Sequence, residues 1–255
     1  MFLSGGKAIL AEYRGDWKFH YEHFNLTAYY KANRLCHMCV ANKAGQNSFA
    51  KDLTAEYERR TSEQIVEECM SRQLRNPFTT DMTPGVFNAA TQIRPCSMHI
   101  ANLGTVQVLN GSVLDLLVKS GFFASTDMQV ALHNASMRFK TYASAHRLVH
   151  SMPMLTPGML IDGSAGSFPV LTLKAYNGRL FLGFLSVCLR SALAQSPNDL
   201  ELVLSDQCVR ALLQWYQLQE SAPKRFLDAA WHSSLAAELS FGIKYFRSTT
   251  ILTCD

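Results

Sequence analysis

Two cysteines in Cys36-His37-Met38-Cys39 and two histidines four apart, His146 and His150, are the residues whose types and spacing best suit one chemistry. A C-x-x-C turn sets two thiolates on one side of a tight loop, which fills two corners of a tetrahedral zinc ion. Histidines at i and i+4 of a helix stack on one face and supply the other two corners. The spacing therefore predicts a structural zinc closed by Cys36, Cys39, His146 and His150, with His99 and His37 as alternative ligands. The competing expectation is a pair of buried thiols, which a single C-x-x-C in an intracellular protein also satisfies. Because the pairs are far apart in sequence, folding has to bring them together.

Several elements must carry these residues. Lys7 to Arg14, with Ile9, Leu10 and Tyr13 followed by Gly15-Asp16, reads as a strand ending in a turn with Asp16 at its tip. Recurring aromatic residues predict a helix over 17–30, and Ala41 to Asp52 reads as a surface loop. Thr61 and Gln64 form a capping-box pattern for a helix reaching about Leu74, and the proline-interrupted stretch 76–95 reads as irregular and extended. Leu103, Val106, Val113, Leu114 and Leu117 predict a helix over 102–119 that stops at Gly121. Asp127 caps the best amphipathic pattern, 128–150, whose last turns hold His146 and His150. After a glycine-marked loop, Pro169 is placed as the first residue of a helix to about Ala194, followed by helices near 199–219 and 224–246.

Composition bounds the function classes. A chain of 255 residues, 48% hydrophobic, is long enough to bury a substantial core. Its 24 basic and 20 acidic residues leave +4, so any nucleic-acid contact needs a local patch; Arg59-Arg60 and Lys224-Arg225 are small basic pairs without interleaved aromatic residues. The first ten residues lack the basic and apolar regions of a secretory signal. The longest apolar run, Leu180 to Leu189, is about half of the roughly 20 residues a bilayer needs and reads as a core helix, with no membrane partner expected. Seven cysteines, five of them scattered, fit a reducing intracellular compartment, where Asn25-Leu26-Thr27 is a chance tripeptide. Glu67-Glu68 reads as a solvated helix face, Gly163-Ser164-Ala165-Gly166 does not fit a nucleophile elbow, and no phosphate-binding loop is present.

The order Gly15-Asp16, Cys36-x-x-Cys39, Met98-His99, His146-x-x-x-His150 resembles eukaryotic cut-and-paste DDE transposases of the CACTA type and the catalytic core of the recombination-activating recombinase. In that family an RNase H-like core is interrupted by a helical insertion. The resemblance implies that Asp16 matches the second catalytic carboxylate, and that Cys36, Cys39, His146 and His150 match the ligands of a structural zinc. It also implies an acid triad holding two divalent metals, with Mg²⁺ present only where the triad is complete. Two-metal phosphoryl transfer needs several converging carboxylates. The first family aspartate would lie upstream of Met1, Cys96-Ser97 stands where the Met-His segment is often preceded by aspartate, and no acid occupies Phe168 to Asn177. Without those partners Asp16 reads first as a helix N-cap and second as a catalytic remnant.

The expected fold is mainly α (α+β): a partial RNase H-like edge over 1–34, a helical zinc-binding insertion over 35–160 and a helical C-terminal region over 161–255, together expected to form one compact unit. The expected function is that of a transposase-derived zinc-binding protein without strand-transfer activity, intracellular and nuclear, with DNA or other proteins as partners. The alternative is a helical protein-interaction module with neither metal nor transposon ancestry.

Overall fold

The structure is a computed structural model that describes residues 12–29, 32–34, 36–45, 48, 57–71, 88–161 and 168–221. The first residues of the strand expected from Lys7, the stretch 72–87, most of the loop tip 46–52, Asp162 with the glycines that follow it, Lys224-Arg225, the helix expected over 224–246 and Cys254 lie outside them. The described chain is mainly helical with a few short strands. It divides into two compact units, Met1–Ser97 and Met98–Asp255.

In the first unit, β1 (Tyr13–Gly15) pairs in parallel with β2 (Ile93–Pro95), Tyr13 opposite Ile93 and Gly15 opposite Pro95. Asp16 accepts the Phe19 N–H at 2.6 Å and so caps α1 (Trp17–His23). This helix is shorter than the aromatic spacing suggests. Asn25 takes a positive φ of 54°, and two residues on, the Thr27 N–H is claimed by the Glu68 carboxylate at 2.6 Å instead of by a helical carbonyl. The capping box of Thr61 and Gln64 opens α2 (Ser62–Met70), and Asn88 caps the short α3 (Ala89–Gln92). Phe24, Leu26, Ile65, Cys69, Ala89 and Ile93 form a small core with Tyr13, Phe19 and Val66 against it.

The second unit opens with a π-helix, Met98–Thr105, that continues as α4 (Val106–Lys119). Gly121, at φ 73°, ends that run in the left-handed region, where a glycine is least strained. Asp127 caps α5 (Met128–Ala145) by accepting the Val130 N–H at 2.9 Å. Pro169 does not start a helix: Val170–Leu171 (β4) pairs antiparallel with Leu160–Ile161 (β3), and α6 spans Ala175–Gln195. The reason lies in α4, because a Cβ on Gly111 would stand 2.3 Å from the Pro169 carbonyl oxygen. The extended segment is laid directly on that helix backbone, and Gln107 Nε2 donates to Leu173 O at 2.9 Å.

Asp199 Oδ1 accepts the amides of Glu201 and Leu202 at the start of α7 (Leu200–Ser221). Helix α6 packs on α4 and α7, and its apolar run Leu180 to Leu189 supplies Phe181, Leu182, Leu185 and Leu189 to one large core with Leu114, Leu117, Leu132, Phe139 and Val209. By length and composition one helical stretch among the described residues, Met98–Lys119, could cross a membrane, and half of its apolar window is buried within this unit.

Candidate functional site

The cysteine turn is built as the tip of a small hairpin. Arg34 and Asn42 bridge in antiparallel fashion, Lys43 N–H donates to Asn33 O at 2.8 Å, and Cys36 to Cys39 lie between. Beyond the tip, Cys39 bridges to Arg59, with Val40 N–H on Glu58 O at 3.1 Å and Arg60 N–H on Met38 O at 2.9 Å. The Met38 amide points at Cys36 Sγ, 3.4 Å away. The two thiols also share a hydrogen bond, and burial followed by the neighbouring Cys39 pushes the Cys36 thiol up to about 11. A half-buried thiol pair of this kind is a poor thiolate nucleophile, whereas a metal would displace its protons.

Behind the turn lies a feature that the sequence showed only in part. His37 is buried, with Nε2 3.0 Å from the Ile93 carbonyl, and its ring meets that of His20 edge-on at 5.2 Å. His20, on α1, is 1% exposed; it hydrogen-bonds the backbone of Arg94, and its Nε2 has no partner among the described residues. Burial, then His37, pushes His20 down to about 4, and burial also lowers His37. His20 sits among Trp17, Phe19 and Tyr21 in sequence, and a lone histidine there carries no signal of its partner.

Glu68 corrects an expectation. Its side chain is 10% exposed, not part of a solvated face, and it accepts from Thr27, from Arg34 at 2.6 Å and from Arg60 at 2.5 Å. Burial works to raise its carboxyl, and the Thr27 and Arg60 donors outweigh that and hold it below the usual carboxylate range. Arg60, 12% exposed, is thereby committed to the interior and also donates to His37 O, so the Arg59-Arg60 pair is not a free phosphate contact.

Asp16 stands at the carboxyl end of β1, and Cys96-Ser97 at the same end of β2, with Cys96 N–H donating to Gly15 O at 2.8 Å. The two positions where the resemblance places acids are thus neighbours on paired strands, but only one is an acid, and its oxygen caps α1. Such a set does not fit a pair of catalytic Mg²⁺ ions.

In the second unit the helical premise of the histidine pair fails. Helix α5 ends at Ala145, His146 is its C-cap, and Arg147 takes a φ of 54°. Helix stacking of i and i+4 side chains therefore does not apply. His146 is exposed and rests on the Tyr142 ring at 4.4 Å; His150 packs edge-on to Phe139 at 5.1 Å, and its Nδ1 accepts the Met152 N–H at 3.2 Å. His99 lies in the π-helix. Among the described residues no three His, Cys, Asp or Glu side chains come together as a set that could hold a metal. Compared with protein-family models, curated proteins and solved structures, the chain matches none.

Proposed function

We propose that the chain is a transposase-derived zinc-binding protein that binds DNA or another protein and performs no strand transfer. The observation that carries the zinc part is the Cys36–Cys39 turn: paired thiols at a hairpin tip, with a backbone amide directed at one sulfur. His146 and His150 remain the completing pair by motif order. Ligation through His150 Nδ1 would require it to give up the Met152 N–H. The absence of strand transfer is supported by Asp16 serving as a cap beside Cys96-Ser97, with no second acid at the strand ends.

The proposal is tested by incubating the purified chain with DNA carrying candidate element ends and Mg²⁺ or Mn²⁺. No cleavage is expected; reproducible cleavage abolished by Asp16→Ala would overturn it. A second reading, a helical interaction module without metal, is favoured by the end of α5 at Ala145, which removes the helical rationale for the histidine pair. That reading expects stability to be indifferent to chelators.

A further inference from the structure

The positive charge of this chain is not spread over it. Residues 128–195 contain six Lys or Arg and one acid, a net +5 against +4 for all 255 residues, so the remainder is close to neutral. Helices α5 and α6 fall in this stretch and carry no acid at all, whereas α7 carries Glu201, Asp206 and Glu220.

The cations meet along the seam of α5 and α6. Arg138, exposed on α5, holds its guanidinium over Phe122 and Phe123 at 5.1 and 5.5 Å and lies within electrostatic reach of Cys188 on α6. One turn on, Tyr142 places its hydroxyl close to Gly183 of α6 and lies within reach of the exposed Arg190. At the C-cap of α5 the exposed His146 ring lies on Tyr142, and the exposed Arg147 follows it in the chain. Among the described residues Arg138, Arg147 and Arg190 are in no ion pair, and Arg190 bonds only the Ser186 carbonyl of its own helix. Unpaired cations alternating with aromatic rings along one seam are what a flexible phosphodiester chain requires, the cations for its phosphates and an exposed ring for a base.

We propose that the α5–α6 seam, with Arg138, Arg190 and Arg147 on phosphates and His146 backed by Tyr142 as the stacking ring, binds single-stranded nucleic acid. The proposal names the partner within the binding function above and replaces its zinc part at His146, whose ring it gives to a base and not to a metal. The test uses the full chain and a labelled oligothymidylate of about 20 nucleotides, with anisotropy followed across salt concentration. A duplex of equal length and phosphatidylserine vesicles serve as competitors, and zinc content is measured on the same samples.

Salt-sensitive binding that prefers the single strand is expected. Arg190→Gln and Arg138→Gln should each flatten the salt slope by about 0.7. His146→Ala should weaken binding about fivefold or more, the loss of one stacked base, while Lys18→Gln in the first unit changes nothing. Arg190→Gln keeps the test sound if Arg138→Gln disturbs the phenylalanine contacts. No salt-sensitive binding, an unchanged slope in Arg190→Gln, or equal competition by duplex or vesicles would overturn the proposal. Binding that survives chelation separates it from the zinc reading.

Discussion

The two units are held by different physics. Among its described residues the first has an apolar cluster of Phe24, Leu26, Ile65, Cys69, Ala89 and Ile93, and beside it a carboxylate, Glu68, that gathers Thr27, Arg34 and Arg60, and two buried imidazoles against β2. The second has a continuous apolar core drawn from α4, α5, α6 and α7, with an aromatic cluster of Phe139, Phe181 and Phe184 near its centre. Among the described residues of the first unit, satisfied buried charges stand beside that apolar cluster, and removing one partner leaves the other unpaired. The second depends on close packing and tolerates its charges at the surface.

This contrast is open to direct attack. The largest effect is expected from Phe139→Ala, where a side chain 1% exposed leaves a cavity among three aromatic neighbours. The second unit should lose about 4 kcal/mol, seen as faster hydrogen exchange in peptides from α4 to α7 and unchanged exchange in the first unit. Next, Glu68→Gln leaves Arg34 and Arg60 without their counter-charge. The first unit alone should lose about 3 kcal/mol, the cost of breaking a buried pair from one side. A loss spread equally over both units in either variant would contradict the division of roles.

Acid should separate the units without mutation. His20 is pushed down to about 4, so the unfolded chain binds its proton first as pH falls from the ordinary histidine range. The stabilisation is complete above an unfolded value of about 6.5 and is lost progressively towards 4, on the order of 3 kcal/mol. Glu68, held below the carboxylate range, has the same sign: its contribution is present above about 4.5 and is lost as pH falls through its folded value. Peptides of the first unit should therefore open at mildly acidic pH before those of the second, and His20→Gln should flatten the profile above pH 5 or so. The smallest effect compares like with like: Asp16→Ala and Asp127→Ala each remove one N-cap, and each should cost about 1 kcal/mol in its own unit by urea unfolding.

What was legible in the sequence follows from range. Thr61 with Gln64, Asp127 and Gly121 announce helix ends through bonds three or four residues away, and each stands where its chemistry implies. Pro169 misleads because the decisive contact is with Gly111, nearly sixty residues earlier. The end of α5 at Ala145 was hidden for a different reason: Arg147 adopts a positive φ with no glycine to mark it, and Leu148 continues the apolar pattern past the break. The histidine pair depends on that unbroken pattern, whereas the cysteine turn rests on a spacing of two residues. Glu68 looked solvated because nothing near it in sequence reveals that Thr27 and Arg34 face it.

The most direct test of the proposed function is the zinc content of protein purified without added metal, measured by elemental analysis for the wild type, Cys36→Ser and His150→Ala, with a thermal melt of each. One zinc per chain in the wild type, lost in both variants with a clear fall in melting temperature, is the predicted result. Zinc below stoichiometry in the wild type, with melts unmoved by chelator, would contradict it and leave a helical interaction module whose cysteine turn is a pair of half-buried thiols.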